Sequence, residues 1–259
     1  MKLLSLLAID LKRSFFSLRF LFGIIGIIIC YFVNIYQDLI LGGTGVIYFY
    51  SVAQFGSLSV LYILFSAIPA STFYCDDFNS KFIRLNLQRI SKLNYAISKY
   101  ITAFISSFAV VVLAELLFMF LLSIRYEWIS NEYELSNNYG VFSTLINKNF
   151  AIFYVFLRAL IRGLSASFFI GTALSVSTLR QNRFLVLSIP LILNYFIDNL
   201  SRIFKFPVFL QQRYISSLSV EIGNSWRLTF GYSCFIYICL NLIMLLVFCL
   251  LCKRSVENE

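Results

Sequence analysis

Glu115 is the residue whose position most invites chemistry. It stands between Lys99 and Arg125, which bracket one long apolar segment, so its carboxylate falls well inside a hydrocarbon layer. A carboxylate there is costly and usually faces a protein interior or a water-filled cavity. Two roles fit it. It lines a substrate path or binds a cationic group. Alternatively it pairs with an Asn, Ser or Arg of a neighbouring helix, or is protonated, and serves packing only. Gln54 and Asn194 join it as weak path candidates, although amides within apolar segments, Asn34 included, mostly hydrogen-bond between helices. Asp76 and Asp77 are adjacent carboxylates in a polar stretch and read as a surface pair. Asp198 falls near the outer end of its apolar segment.

The catalytic classes these residues exclude are numerous. Histidine is absent, so there is no Ser-His triad, no His-liganded haem and no His-containing zinc site. No HExxH occurs and no paired Glu motif lies within an apolar segment, as a membrane metalloprotease needs. An aspartyl protease needs two facing carboxylates, and Asp198 has no such partner in the later segments. Gly42-Gly43-Thr44-Gly45 is not part of a GxxxxGK[ST] phosphate loop and reads as a hairpin between two spans. Cys30, Cys75, Cys234, Cys239, Cys249 and Cys252 lie in or beside apolar segments and read as reduced packing residues. The expectation is a chain that is not itself an enzyme and holds neither metal nor cofactor.

The elements that position these groups follow from composition. Of 259 residues, 60% are hydrophobic and only 13% charged. Soluble domains carry about 25% charge, and a fold of this size cannot hide so much apolar surface from water. The class is an all-α integral membrane protein. Each span needs about 20 apolar residues, which leaves room for six spans and short connections but for no nucleotide-binding domain. The spans fall at residues 20–36, 47–70, 93–124, 152–178, 184–200 and 231–251, in one transmembrane domain covering 1–259.

Residues 1–19 are not a cleavable leader, since Asp10, Lys12, Arg13 and Arg19 interrupt them. Leu3, Leu4, Leu7, Leu11, Phe15 and Leu18 share one helical face, with Asp10, Lys12 and Arg13 elsewhere, which suits an interfacial helix. Residues 75–92 form an amphipathic loop with Phe78, Phe82 and Leu85 at helical spacing, room for one or two short helices, and an apolar edge to present to a soluble partner. The blander reading is a solvated basic loop that sets topology. Arg158 and Arg162, four apart at the start of the fourth span, share a face and are expected to reach the outer headgroups. The fifth span is short and contains Pro190, and residues 201–229 suit an outer interfacial segment.

The net charge of +9 comes from 21 Lys and Arg against 12 Asp and Glu. The basic residues cluster at the ends of apolar segments, which reads as lipid contact and orientation rather than nucleic-acid binding. Placing both termini inside puts 13 of them on the cytoplasmic side and six outside, the arrangement the positive-inside rule favours. A multi-pass protein of the bacterial cytoplasmic membrane follows, its bacterial origin resting on a Phe-, Ile- and Asn-rich composition.

The order of these elements resembles the permease subunit of ABC-2 type (type V) ABC transporters over essentially the whole chain. The local likeness is greatest from Phe73-Tyr74-Cys75-Asp76-Asp77-Phe78 to Arg89-Ile90-Ser91-Lys92-Leu93-Asn94-Tyr95-Ala96-Ile97-Ser98-Lys99. Such permeases often carry an acidic residue soon after the second span, then a helix, an Arg, and a Tyr and Lys opening the third. A second echo runs from Ser175-Val176-Ser177 to Arg183 and Pro190. The acidic position is often Glu in such permeases and here is Asp76 or Asp77.

The resemblance implies an N-terminal elbow helix and a coupling helix between spans two and three that seats in a groove of a separate ATPase. It implies a permease pair, homomeric or heteromeric and joined through the first and fifth spans, and an ATPase dimer that holds ATP and Mg. Asp76, Asp77, Phe78, Phe82 and Arg89 would lie at that joint. The implied function is export of an amphipathic substrate: a bacteriocin-like peptide first, a drug or lipid second. The competing expectation is a non-transporting scaffold or sensor subunit, or a small channel.

Overall fold

The structure is a computed structural model that describes residues 3–41, 45–88, 90–129, 140–146, 150–219, 222–223 and 225–257. Arg89, part of the expected coupling set, lies outside the described residues, as do Glu132 and Glu134. Among the described residues all regular structure is helical.

The helices in chain order are α1 (Leu3–Phe15), α2 (Leu18–Ile40), α3 (Val46–Phe55), α4 (Leu61–Ala67), α5 (Phe73–Asn79), α6 (Phe82–Leu87), α7 (Lys92–Ser123), α8 (Ser143–Ile146), α9 (Ala151–Ser177), α10 (Arg183–Ile203), α11 (Gln212–Ser216) and α12 (Trp226–Glu257). Five of them, α2, α7, α9, α10 and α12, are long and apolar enough to cross a membrane. The chain is therefore an all-α membrane protein.

The region expected as one continuous second span is broken. Helix α3 ends at Phe55, a 3₁₀ turn covers Ser57–Val60, and α4 resumes with a bend of 72°. Gly56 adopts an extended conformation at the break. An apolar setting cannot leave the freed backbone groups unpaired. Asn34 of α2 satisfies both sides: its amide Nδ2 donates to Ala53 O at 2.9 Å, and its Oδ1 accepts from Leu58 N at 3.2 Å. A side chain at Gly56 would meet the Asn34 carboxamide at 2.3 Å, so only glycine lets that amide in.

Helix α9 is the most enclosed of the long helices and packs along α7 and α12; α10 and α12 are the least enclosed. At 32 residues α7 is about 48 Å long, well beyond a hydrocarbon core of about 30 Å. Part of it must therefore extend past such a core, and its first turns lie beside α1 and α5. Helix α10 runs to Ile203, three residues beyond the short span expected, and Pro190 is accommodated in its interior. Helix α12 likewise begins earlier than expected, at Trp226.

The buried side of α1 also differs from the expected one. Leu6, Asp10 and Ser14 are the residues withdrawn from solvent, and Leu4 and Leu18 are exposed. Asp10 belongs to the buried face because Lys99 waits for it there. The helix stops at Phe15, since Ser17 caps α2 by accepting from Phe20 N.

Candidate functional site

Two clusters of charge lie at opposite ends of the bundle. The first surrounds α5. Asp77 is almost fully buried, and its Oδ2 accepts from the Tyr95 hydroxyl at 2.9 Å and lies 2.8 Å from Lys99 Nζ. Its Oδ1 accepts from Arg13 at 3.0 Å. Lys99, itself 1% exposed, also donates to Asp10 Oδ1 at 2.8 Å, while Ser98 donates to Asp10 Oδ2 at 3.2 Å. Two carboxylates and two cations thus form a neutral quartet joining α1, α5 and α7. Buried charges persist only when paired and hydrogen-bonded in this way.

Asp76 faces the other direction. Arg19, at the start of α2, donates to its Oδ2 at 3.0 Å. Arg183, opening α10, places Nε 2.7 Å from Oδ1, an ion pair without hydrogen-bond alignment. Tyr74 donates to Ser255 near the end of α12 at 3.1 Å. The expectation of a surface Asp pair is corrected: both are withdrawn into the protein, because each finds cations on other helices. Burial pushes the neighbouring Cys75 thiol up to about 11, with Asp76 adding to the shift and Arg183 opposing it.

The proposed apolar joint residues divide. Phe78 is half-buried and packs against the cluster formed by Leu6, Phe73, Tyr74, Ile83 and Tyr95. Phe82 and Leu85, by contrast, stay exposed on α6. So α5 is wired inward and α6 presents an apolar edge outward.

The second cluster is centred on Glu115. Its Oε1 accepts from the Tyr31 hydroxyl at 3.0 Å and lies 3.2 Å from Arg162 Nε. Its Oε2 accepts from the Tyr50 hydroxyl at 2.5 Å and from Gln54 Nε2 at 3.4 Å. Arg162 lies over the Tyr62 ring at 4.3 Å. Neither Arg158 nor Arg162 reaches outward as expected. Both are buried, since Glu115 and the aromatic faces of α2, α3 and α4 supply the environment that headgroups would otherwise give.

Arg162 and Arg158 open into a cavity of about 330 Å³ between the α3–α4 bend and α10. Gln54 and Asn194 line it, and Glu115 stands behind Gln54 and Arg162. The three residues singled out in the sequence therefore converge on one place. The alternative of a neighbouring-helix Arg as partner of Glu115 is met by Arg162, whereas the tyrosine hydroxyls at Glu115 and the pairing of Asp10 with Lys99 were not anticipated. One signal was available. Glu115 is about 12 Å from its end of α7 and Arg162 about 16 Å from the same end of α9, counting 1.5 Å per residue, so the two lie at similar depth.

All six cysteines are free. Cys249 and Cys252 stand in C-x-x-C spacing, one turn apart on α12, which the reading as packing residues passes over. No family model matches the chain, and neither a curated protein nor a solved structure shows significant similarity to it.

Proposed function

We propose that the chain is the membrane permease subunit of an ATP-driven ABC exporter, energised by separate ATPase subunits and moving an amphipathic substrate out of the cytoplasm or the membrane. In this reading the bent α3–α4 pair is the second of six spans, α1 is the elbow helix at the cytoplasmic surface, and α5–α6 is the coupling segment. Both termini are cytoplasmic, and a second permease subunit completes the pathway. ATP and Mg belong to the partner, and this chain performs no hydrolysis.

One observation carries the reading. The short α5 is tied by ion pairs on its buried carboxylates to the end of α1 and the beginnings of α2, α7 and α10 through Arg13, Arg19, Lys99 and Arg183, while the adjoining α6 leaves Phe82 and Leu85 exposed for a partner. A push on α6 is thereby delivered to several long helices at once. A loop that only set topology would need neither buried carboxylates nor an exposed apolar edge. Apolar anchors flanked by charge are the usual core of such contacts.

The test is co-purification. The tagged chain, extracted in mild detergent, is expected to bring down a soluble nucleotide-hydrolysing subunit in stoichiometric amount, and Phe82→Asp is expected to release it. A chain that purifies alone and monodisperse contradicts the proposal.

A further inference from the structure

Arg158 is the least explained buried charge among the described residues. It is 3% exposed, and among the described residues no carboxylate pairs with it. Its Nη1 donates to the Tyr154 hydroxyl at 2.9 Å, and its Nε is buried without a partner. The guanidinium is held over the rings of Tyr50, Phe55 and Tyr154 at 5.5–5.8 Å. Those contacts orient a cation without neutralising it. A guanidinium in a low-dielectric site requires a counter-charge or loses several kcal/mol.

The cavity beside it repeats the imbalance. Arg158, Arg162, Arg202 and Arg213 line it, with Asp198 as the carboxylate in the wall. Asp198 is taken by Arg202 at 2.8 Å, and Glu115, behind the wall, by Arg162. Among the described residues, Arg158 and Arg213 remain as two positive charges with no carboxylate paired to them. Guanidinium groups bind phosphate oxygens in paired hydrogen bonds.

The rim supplies the other half of the argument. Phe55, Val60 and Tyr195 border the cavity and are exposed, and Ile192 and Phe196 of α10 continue that apolar surface outside it. In a bilayer these side chains meet acyl chains. We infer that the cavity binds an anionic phospholipid-like amphiphile, its phosphate head between Arg158 and Arg213 and its chains along Tyr195 and Phe55 into the surrounding lipid. As a statement of substrate class this rests on the exporter reading; as a statement of binding it does not.

The experiment uses the full chain in mild detergent without nucleotide, with bound lipid counted by native mass spectrometry. The probes are a short-chain phosphatidylglycerol, the phosphatidylcholine of equal chain length, and inorganic phosphate. The anionic lipid is expected to bind about tenfold more tightly than the zwitterionic one, because both offer a phosphate but the choline cation of the latter is repelled by the arginines. Arg158→Gln and Arg213→Gln are each expected to remove most of that preference, and Arg125→Gln, at an exposed position outside the cavity, none of it. Arg213 is exposed, so its variant still decides the matter if Arg158→Gln misfolds. Equal retention of both lipids, or undiminished preference in Arg213→Gln, overturns the inference. So does inorganic phosphate that displaces the lipid at equal concentration, because the site would then hold a free anion. None of these outcomes bears on whether an ATPase co-purifies, so the two proposals fail separately.

Discussion

Glu115 Oε1 stands 3.2 Å from Arg162 Nε across the contact between α7 and α9, and both side chains are buried. Breaking one side of such a pair is costlier than removing both. Arg162→Leu is expected to destabilise the protein by about 3–5 kcal/mol, because the carboxylate is left buried and unpaired. Adding Glu115→Leu should restore much of the loss. Thermal unfolding in detergent of the two single variants and the double variant measures the difference. Equal losses for Arg162→Leu and the double variant would count against the pairing.

The Asp10–Lys99–Asp77 bridge makes a separate prediction. Lys99→Met leaves two carboxylates facing each other and should free α1 from α7. Trypsin cleavage at the exposed Lys12 and Arg13 is then expected to quicken by at least about tenfold, the effect of roughly 1.4 kcal/mol of local opening. Asp10→Asn in the same background should return part of the protection. Unchanged cleavage would mean that apolar contacts alone hold α1.

Some of this was legible in the sequence. The all-helical membrane class, and five of the six apolar segments as long apolar helices, follow from hydropathy, because lipid imposes them on composition directly. Direction around a helix axis was not legible. Arg158 and Arg162 share a face in any helix, but whether that face meets headgroups or Glu115 depends on how α9 packs. Asp10 illustrates the same limit: on α1 alone it is a polar residue off the apolar stripe, and only Lys99, 89 residues away, makes its burial favourable. The break at Gly56 needed knowledge of Asn34 on a neighbouring helix.

That break gives a steric prediction. Gly56 has ordinary backbone angles, so Gly56→Ala acts only through its new Cβ, which would lie 2.3 Å from the Asn34 carboxamide. Overpacking of this kind costs about 1–3 kcal/mol. With Asn34 already changed to Ala, the same substitution should cost clearly less, a non-additivity that contacting residues show. Additive losses in a double-mutant cycle would rule out Asn34 as the constraint.

Cys75 supplies the pH dependence. Its folded thiol titrates near 11, above the ordinary 9.0, so the folded state keeps a proton that the unfolded chain releases. The corresponding stability is complete below pH 9 and is lost as pH rises through 11. Thermal midpoints compared between wild type and Cys75→Ala are expected to converge over that interval. At pH 8 the native thiol should also resist iodoacetamide that labels the unfolded chain, since the thiolate is the reactive form. Rapid native labelling at pH 8 would contradict the burial.

The coupling of α6 to ATP hydrolysis is the central claim. Its most direct test is the nucleotide-hydrolysis rate of the purified assembly in vesicles, wild type against Phe82→Asp and Leu85→Asp, with binding of the ATPase subunit followed in parallel. The account predicts that each exposed-edge variant leaves this chain folded while cutting ATPase retention and membrane-dependent hydrolysis by about tenfold or more, as loss of an interface anchor does. Full retention and unchanged hydrolysis in both variants would contradict it.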